Sequence, residues 1–194
     1  MKKLLITGFE PFDGESVNPS WEAVAQLPAQ VGDFSLTKLC LPVVFGKAAR
    51  IAGEKAEEMG ADAILCIGQA GGREWVTPEF VGINLRHGPI PDNEGNQPED
   101  EPILPGGDKA YFSTLPVREI AASLAAAGIP ARVSYTAGAY VCNDLHYTLL
   151  ARFEGTGTKV GFLHVPYSTE QDKTPAMTPE QILKAVTVAV ETIK

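Results

Sequence analysis

Short, wholly apolar runs alternate along the chain with stretches whose apolar residues recur every three or four positions. Lys3 to Thr7 is such a run, ended by Gly8, and predicts a strand buried on both faces. Asn18-Pro19-Ser20-Trp21 opens a helix that extends to about Leu27. Phe34 to Val44 is strand-like, and Pro42 marks its end or a sheet edge. Lys47 to Met59 predicts a helix closed by Gly60, and Ala61 to Ile67 a second buried strand. Thr77 to Asn84 is extended. From Leu85 to Lys109 the periodicity stops and proline, glycine and acids take over. This long loop is too poor in apolar residues to form a core of its own, so it is expected to be mobile or to serve contacts between subunits.

Pro116 to Ala127 predicts a helix closed by Gly128, and Ala131 to Tyr135 an extended segment. A further helix begins at or just after Cys142, with Leu145, Leu149 and Phe153 on one face. Lys159 to Val165 is another buried strand. Thr178-Pro179-Glu180-Gln181 is a capping box that opens a last helix, whose stripe is Ile182, Val186, Val190 and Ile193. Strands and helices therefore alternate. The predicted fold class is α/β, a single-domain three-layer α/β/α sandwich around a largely parallel or mixed central sheet, spanning residues 1–194.

Composition narrows the function. The 194 residues suit one domain with one sizeable core. No run approaches the ~20 apolar residues of a membrane span, and the first apolar run stops at Ile6, so the N-terminus reads as a strand and the protein as cytoplasmic. Net charge is −8 with no Lys/Arg cluster, which argues against a nucleic-acid partner. The turn Gln69-Ala70-Gly71-Gly72-Arg73 lacks the spacing of a dinucleotide fingerprint. No Cys/His spacing suggests zinc. Of three cysteines, Cys40 and Cys66 have strand-like apolar neighbours and read as small buried core residues.

Cys142 differs, because it stands where a helix starts. The free amides and macrodipole there favour an anion and are expected to lower the thiol pKa, and a thiolate is the nucleophilic form. A thiolate needs a proton carrier. His87 lies in the polar loop and reads as solvated, while His146 shares the helix of Cys142 and has no evident orienting group. His164 ends a buried strand at the edge where Cys142 should also lie, and is the better base. Glu79, between Pro78 and Phe80, is the carboxylate chosen to orient it. Phe9 and Phe12 follow the first strand and either cap the core or wall a pocket at the carboxyl edge of the sheet.

Gly8-Phe9-Glu10-Pro11-Phe12, Asn18-Pro19-Ser20-Trp21, Gly68-Gln69-Ala70-Gly71-Gly72-Arg73, Thr77-Pro78-Glu79, Ile90-Pro91-Asp92-Asn93-Glu94-Gly95-Asn96-Gln97-Pro98, Ala110-Tyr111-Phe112-Ser113-Thr114-Leu115-Pro116, Thr136-Ala137-Gly138, Val141-Cys142-Asn143 and His164-Val165-Pro166-Tyr167 together resemble the pyroglutamyl peptidase I family of cysteine peptidases. The blocks stand in family order over nearly the whole chain. The resemblance implies a triad of Glu79, Cys142 and His164 in a cytoplasmic, cofactor-free aminopeptidase, commonly a homotetramer, that acts on N-terminal pyroglutamyl peptides. Phe9, Phe12 and Tyr140 would then wall the ring, with Gln69 bonding its amide. The chain departs from the family at Phe80, where a basic residue is usual, at Gly82 for alanine, at Pro89 for an arginine near the reacting carbonyl, and at Asp144 for histidine. Arg86 lies three residues before Pro89, leaving open whether it takes that role. Two rivals remain: a non-catalytic protein that kept the pocket, and a nucleoside phosphorylase, which the lack of a basic phosphate site disfavours.

Overall fold

The computed structural model describes residues 1–194. Its elements in chain order are β1 (Lys2–Phe9), α1 (Pro19–Gln26), β2 (Gln30–Val31), β3 (Phe34–Leu41), α2 (Lys47–Met59), β4 (Ala63–Gln69), β5 (Thr77–Glu79), β6 (Val81–Ile83), β7 (Ala110–Phe112), α3 (Val117–Ala126), α4 (Val141–Arg152), β8 (Lys159–Val165), β9 (Tyr167–Ser168), β10 (Ala176–Met177) and α5 (Pro179–Thr192). Six strands form one mixed sheet in the order β2-β3-β1-β4-β8-β5, parallel across β3-β1-β4-β8, with the short β2 and β5 antiparallel at its two edges.

Strand side chains alternate between faces, and the core follows that parity. Leu4, Ile6, Ala63, Leu65, Ile67, Leu163 and Val165 join one cluster with residues of α1, α3 and α5. Leu5, Ile64, Cys66, Val160 and Phe162 join another with residues of α2 and α4. These are the three predicted layers. By the same parity Gly68, two residues past Cys66, and His164, two past Phe162, face the layer that holds α4.

Local chemistry fixes the carboxyl edge of the sheet. Asn18 caps α1 by accepting from the Ser20 amide at 3.1 Å, and Ser20 Oγ in turn accepts from the Phe9 amide at 3.0 Å, so the start of α1 and the end of β1 are held together. Gly8 permits this, since a Cβ there would lie 2.6 Å from Trp21 Cα.

Three expectations change. Thr77 to Asn84 is two strands, because the chain leaves the main sheet at Phe80: β5 pairs with β8, and β6 pairs with β7. Cys40 is exposed and Cys66 alone is the buried core cysteine, since β2 covers only the start of β3 and Cys40 lies near its far end. The segment from Leu85 to Lys109 has no regular element beyond an Arg86–Glu101 bridge, yet it is tied along its length. Asp92 accepts from the amides of Phe45, Glu94 and Asn96, Pro91 O accepts from Tyr140, and Asp108 O accepts from Tyr147. The extended stretch at Ala131 flanks β5 through bridges Val76–Ala131 and Glu79–Ser134. No helix is long and apolar enough to cross a membrane.

Candidate active site

Three elements deliver the three chemically distinctive side chains to one place. Glu79 ends β5, the antiparallel neighbour of β8, and His164 lies on β8 opposite Thr77. Facing residues of an antiparallel pair share a face, as do residues two apart, so Thr77, Glu79 and His164 all point toward the α4 layer. His164 Nδ1 lies 2.7 Å from Glu79 Oε1 and makes no other side-chain hydrogen bond. Cys142 is the second residue of α4. A Cβ placed on Gly68 would lie 3.0 Å from Cys142 Sγ and 2.7 Å from Phe162 Cζ. Gly68 is also the β4 partner of His164. The sulfur therefore sits over the β4–β8 seam at the level of the histidine, in space that only glycine leaves open.

Glu79 is fully buried. Burial alone would raise its carboxyl, but hydrogen bonds from His164, Ser134 and Arg73, with the His164 charge, hold it below the ordinary carboxylate range. The expectation of a lowered thiol pKa is not met. Burial first, then the charges of Glu79 and Cys66, push Cys142 up to about 12, with Arg73 pulling the other way. The resting group is the thiol. Desolvation outweighs the helix start here because protein packs around the half-buried sulfur, which meets only a small, largely apolar cavity.

No side chain caps α4: its N-cap is Tyr140, whose hydroxyl donates instead to Pro91 O at 3.0 Å. The amides of the first turn are left without a capping acceptor. In front of them lies a small cavity of about 40 Å³ lined by Phe9, Phe12, Asn18, Val43, Gln69, Tyr140, Val141 and Cys142. Both readings of Phe9 and Phe12 apply, since Phe9 is buried in the core cluster with Phe12 packed against it, and both line the cavity. Tyr140 packs edge-on against Phe45, ring centroids 5.2 Å apart. Gln69 Oε1 accepts from Gln171 Nε2 at 2.9 Å, which leaves the Gln69 amide N–H groups to donate. Of the residues named from the sequence, Phe9, Phe12, Gln69, Tyr140 and Cys142 line this cavity, whereas Glu79 and His164 are buried and are not part of its lining.

Sequence reading assigned no site role to Asn18, Val43 and Phe45 around the cavity or to Arg73, and left that of Arg86 open. Arg73 bonds Glu79, and Arg86 Nε donates to the buried Asp144 at 2.8 Å while its guanidinium lies over the Phe45 ring. Arg86 is thereby committed to Asp144, and Pro89 is exposed. His146 is fully buried with neither ring nitrogen bonded, and His87 is half-exposed beside Asp100. No group of three or more His, Cys, Asp or Glu side chains is arranged to hold a metal ion.

A cysteine at an open helix start, beside a histidine held by a buried carboxylate at the carboxyl edge of an α/β sheet, defines with the fold a cysteine-type hydrolase. A family model described as pyroglutamyl peptidase matches residues 2–194. The pyrrolidone-carboxylate peptidases of Brachyspira hyodysenteriae and Thermococcus kodakarensis are each 47% identical to this chain over 98% of its length, covering 98% and 95% of their own. The crystal structure of Bacillus amyloliquefaciens pyroglutamyl peptidase I superposes with a TM-score of 0.95 at 45% identity, covering all of this chain and 97% of that one. The chain belongs to the pyroglutamyl peptidase family.

Proposed function

We propose that the chain removes the N-terminal pyroglutamyl residue from peptides through an acyl-enzyme on Cys142. The observation that carries the reading is the 2.7 Å His164–Glu79 bond beside a cysteine that opens onto a largely apolar cavity. The Cys142 thiol gives its proton to His164 Nε2 as sulfur attacks the acyl carbonyl. A C–S bond forms, the peptide C–N bond breaks, and the imidazolium returns the proton to the leaving amine. Water, deprotonated by the same imidazole, then cleaves the thioester and releases 5-oxoproline. Because the resting group is a thiol, proton transfer accompanies attack. Glu79 holds the tautomer with the proton on Nδ1 and stabilises the transient imidazolium. The Cys142 amide, open at the uncapped start of α4, is aimed where the oxyanion develops.

Phe9, Phe12 and Tyr140 suit a flat neutral ring, and Gln69 suits its lactam carbonyl. A carboxylate entering this wall would lose its hydration without a counter-charge. Proline lacks the carbonyl and brings a charged amine. Sites built to bond a substrate group reject analogues lacking it by about 10,000-fold or more. Pyroglutamyl arylamide should therefore release its arylamine, and alkylation of Cys142 should stop it. Glutamyl, glutaminyl and prolyl arylamides should be inert. No release from the pyroglutamyl compound, or comparable release from the prolyl one, overturns the reading. The family resemblance further supports a cytoplasmic homotetramer, and light scattering at micromolar concentration tests the subunit count.

A further inference from the structure

Arg73 ends the glycine-rich turn after β4, and the mechanism above gives it no task. We infer that Arg73 is a positioning residue of the site, one guanidinium that locks the Glu79 carboxylate to the segment leading into α4 and so fixes the carboxylate and histidine relative to the cysteine. The inference rests on the peptidase reading for its kinetic test, though not for its chemical one. Arg73 Nη1 donates to Glu79 Oε1 at 2.7 Å, the same oxygen that meets His164 Nδ1 at 2.7 Å. Nη1 also donates to Thr77 Oγ1 at 2.7 Å, and Thr77 is the cross-strand partner of His164. Nη2 reaches Thr136 O at 3.1 Å, six residues before Cys142. Strand β5 and the segment leading into α4 thus meet on one planar group. A rigid fork of donors can do this, and a lysine ammonium on a flexible stem cannot.

The charge matters as much as the geometry. The charged or titratable groups around the sulfur are Glu79 on β5, Cys66 on β4, His164 on β8, His146 on α4, Tyr140 at its N-cap, and Arg73. Glu79 is needed to stabilise the imidazolium, yet its negative charge opposes the thiolate that must form next to it. Arg73 bonds that carboxylate and offsets its charge at the sulfur. By donating to the same oxygen it also makes Glu79 a weaker proton acceptor, which keeps the proton on His164.

The test uses the full chain with Cys40→Ser, which removes the exposed thiol, and compares it with added Arg73→Gln and Arg73→Lys. In Arg73→Gln, iodoacetamide should modify Cys142 about tenfold more slowly at any pH below the thiol pKa, the effect of roughly one pKa unit on the thiolate fraction. With pyroglutamyl arylamide, kcat should fall about tenfold or more while KM moves by less than about twofold. Arg73→Lys keeps the charge but not the fork, and should recover the alkylation rate more fully than kcat. An arginine that only braced the structure would open the site on removal and speed alkylation. Faster or unchanged alkylation in folded Arg73→Gln therefore overturns the inference. Should Arg73→Gln fail to fold, Arg73→Lys decides: reduced kcat at unchanged KM supports the inference, and wild-type kcat refutes it. Inertness of the Cys40→Ser parent toward the arylamide would sink the substrate reading alone, because alkylation needs no substrate and still decides the role of Arg73.

Discussion

Helices α4 and α5 pack on opposite faces of one sheet and begin in opposite ways. At α5, Thr178 Oγ1 accepts from the Gln181 amide at 3.3 Å and Gln181 Oε1 accepts from the Thr178 amide at 2.9 Å, with Pro179 in the first turn where its missing N–H costs nothing. Its apolar stripe is buried and it carries no buried polar side chain. At α4 the first turn has no side-chain cap, and Asn143, Asp144 and His146 are all buried. Asn143 bonds the backbone of Ile83 and Leu85, and Asp144 takes Arg86 and the Gly46 amide. One helix satisfies itself. The other is satisfied by segments brought from elsewhere, and what it leaves open faces the cavity. An element built this way uses its polar groups to gather neighbours and leaves the amides of its first turn uncapped.

The largest effects expected follow from α4 and its partners. Cys142→Ala and His164→Ala should each lower kcat by on the order of 10,000-fold or more with unchanged circular dichroism, since each removes a group that makes or carries a bond. Glu79→Gln should cost about 100- to 10,000-fold, because an amide still bonds the imidazole but does not stabilise its charged form. Wild-type turnover in any of the three would take that residue out of the mechanism. Gly68→Ala comes next. Its methyl would meet Phe162 and Cys142 Sγ at 2.7 and 3.0 Å, so sulfur or ring must shift. A displacement near 1 Å can cost about 100-fold, and kcat should fall by that order while the fold persists. Turnover within twofold of wild type would mean the sulfur does not depend on that gap.

The same contrast explains what could be read from the sequence. The ranges of α2, α5 and β8 were legible because their periodicity, caps and apolar runs are local properties. Cys142 and His164 could be named because each sits at an element boundary with unusual chemistry for its surroundings, and Glu79 because it is an acid between Pro78 and Phe80 in an extended segment. Arg73 was quoted in a motif yet not assigned, since its bond to Glu79 depends on how the turn between β4 and β5 folds back. The Arg86–Asp144 pair joins residues 58 positions apart, and no spacing rule announces it. Cys40 was misplaced because apolar neighbours along a strand do not say whether a layer covers that end. The Cys142 pKa was misjudged for a related reason: a helix start is visible in sequence, whereas the depth at which it is buried is not. Exposed Cys40 also means that thiol reagents will not report on Cys142 alone unless Cys40 is replaced.

His146 sharpens the comparison further, as a polar group of α4 that gathers nothing. Burial lowers its pKa from 6.5 to about 4. The folded protein thus prefers the neutral ring, while the unfolded chain binds a proton below about pH 6.5. Stability from this group is present above 6.5 and is lost as pH falls toward 4, by about 3 kcal/mol in all. Glu79, whose carboxyl is held low in the folded state, adds loss in the same direction at still lower pH. His146→Leu should be near neutral or stabilising at pH 7, since it removes two buried unbonded nitrogens. At pH 4 it should exceed wild type by about 3 kcal/mol in urea unfolding. Parallel pH profiles for the two proteins would show that His146 is not the acid-sensitive group.

The smallest effect tests the other side of the comparison. Thr178→Ala removes one arm of the α5 capping box and leaves the Gln181 amide without its acceptor. Such a change costs about 1 kcal/mol, which in a chain of this size lowers Tm by roughly 2–4 °C. It should leave kcat and KM unchanged. Ile182, Val186 and Val190 bury α5 in the cluster shared with α1 and α3, whereas Cys142 and its neighbours belong to the opposite face. The sheet between them is a packed layer whose parallel strands are fixed by their own ladders, so loosening one turn of α5 has no side-chain route to the sulfur. Raising the temperature toward the new Tm should lower activity only in proportion to the unfolded fraction. A drop in kcat at 25 °C with Tm lowered by just a few degrees would show that the two faces are coupled, and that α5 belongs to the site after all.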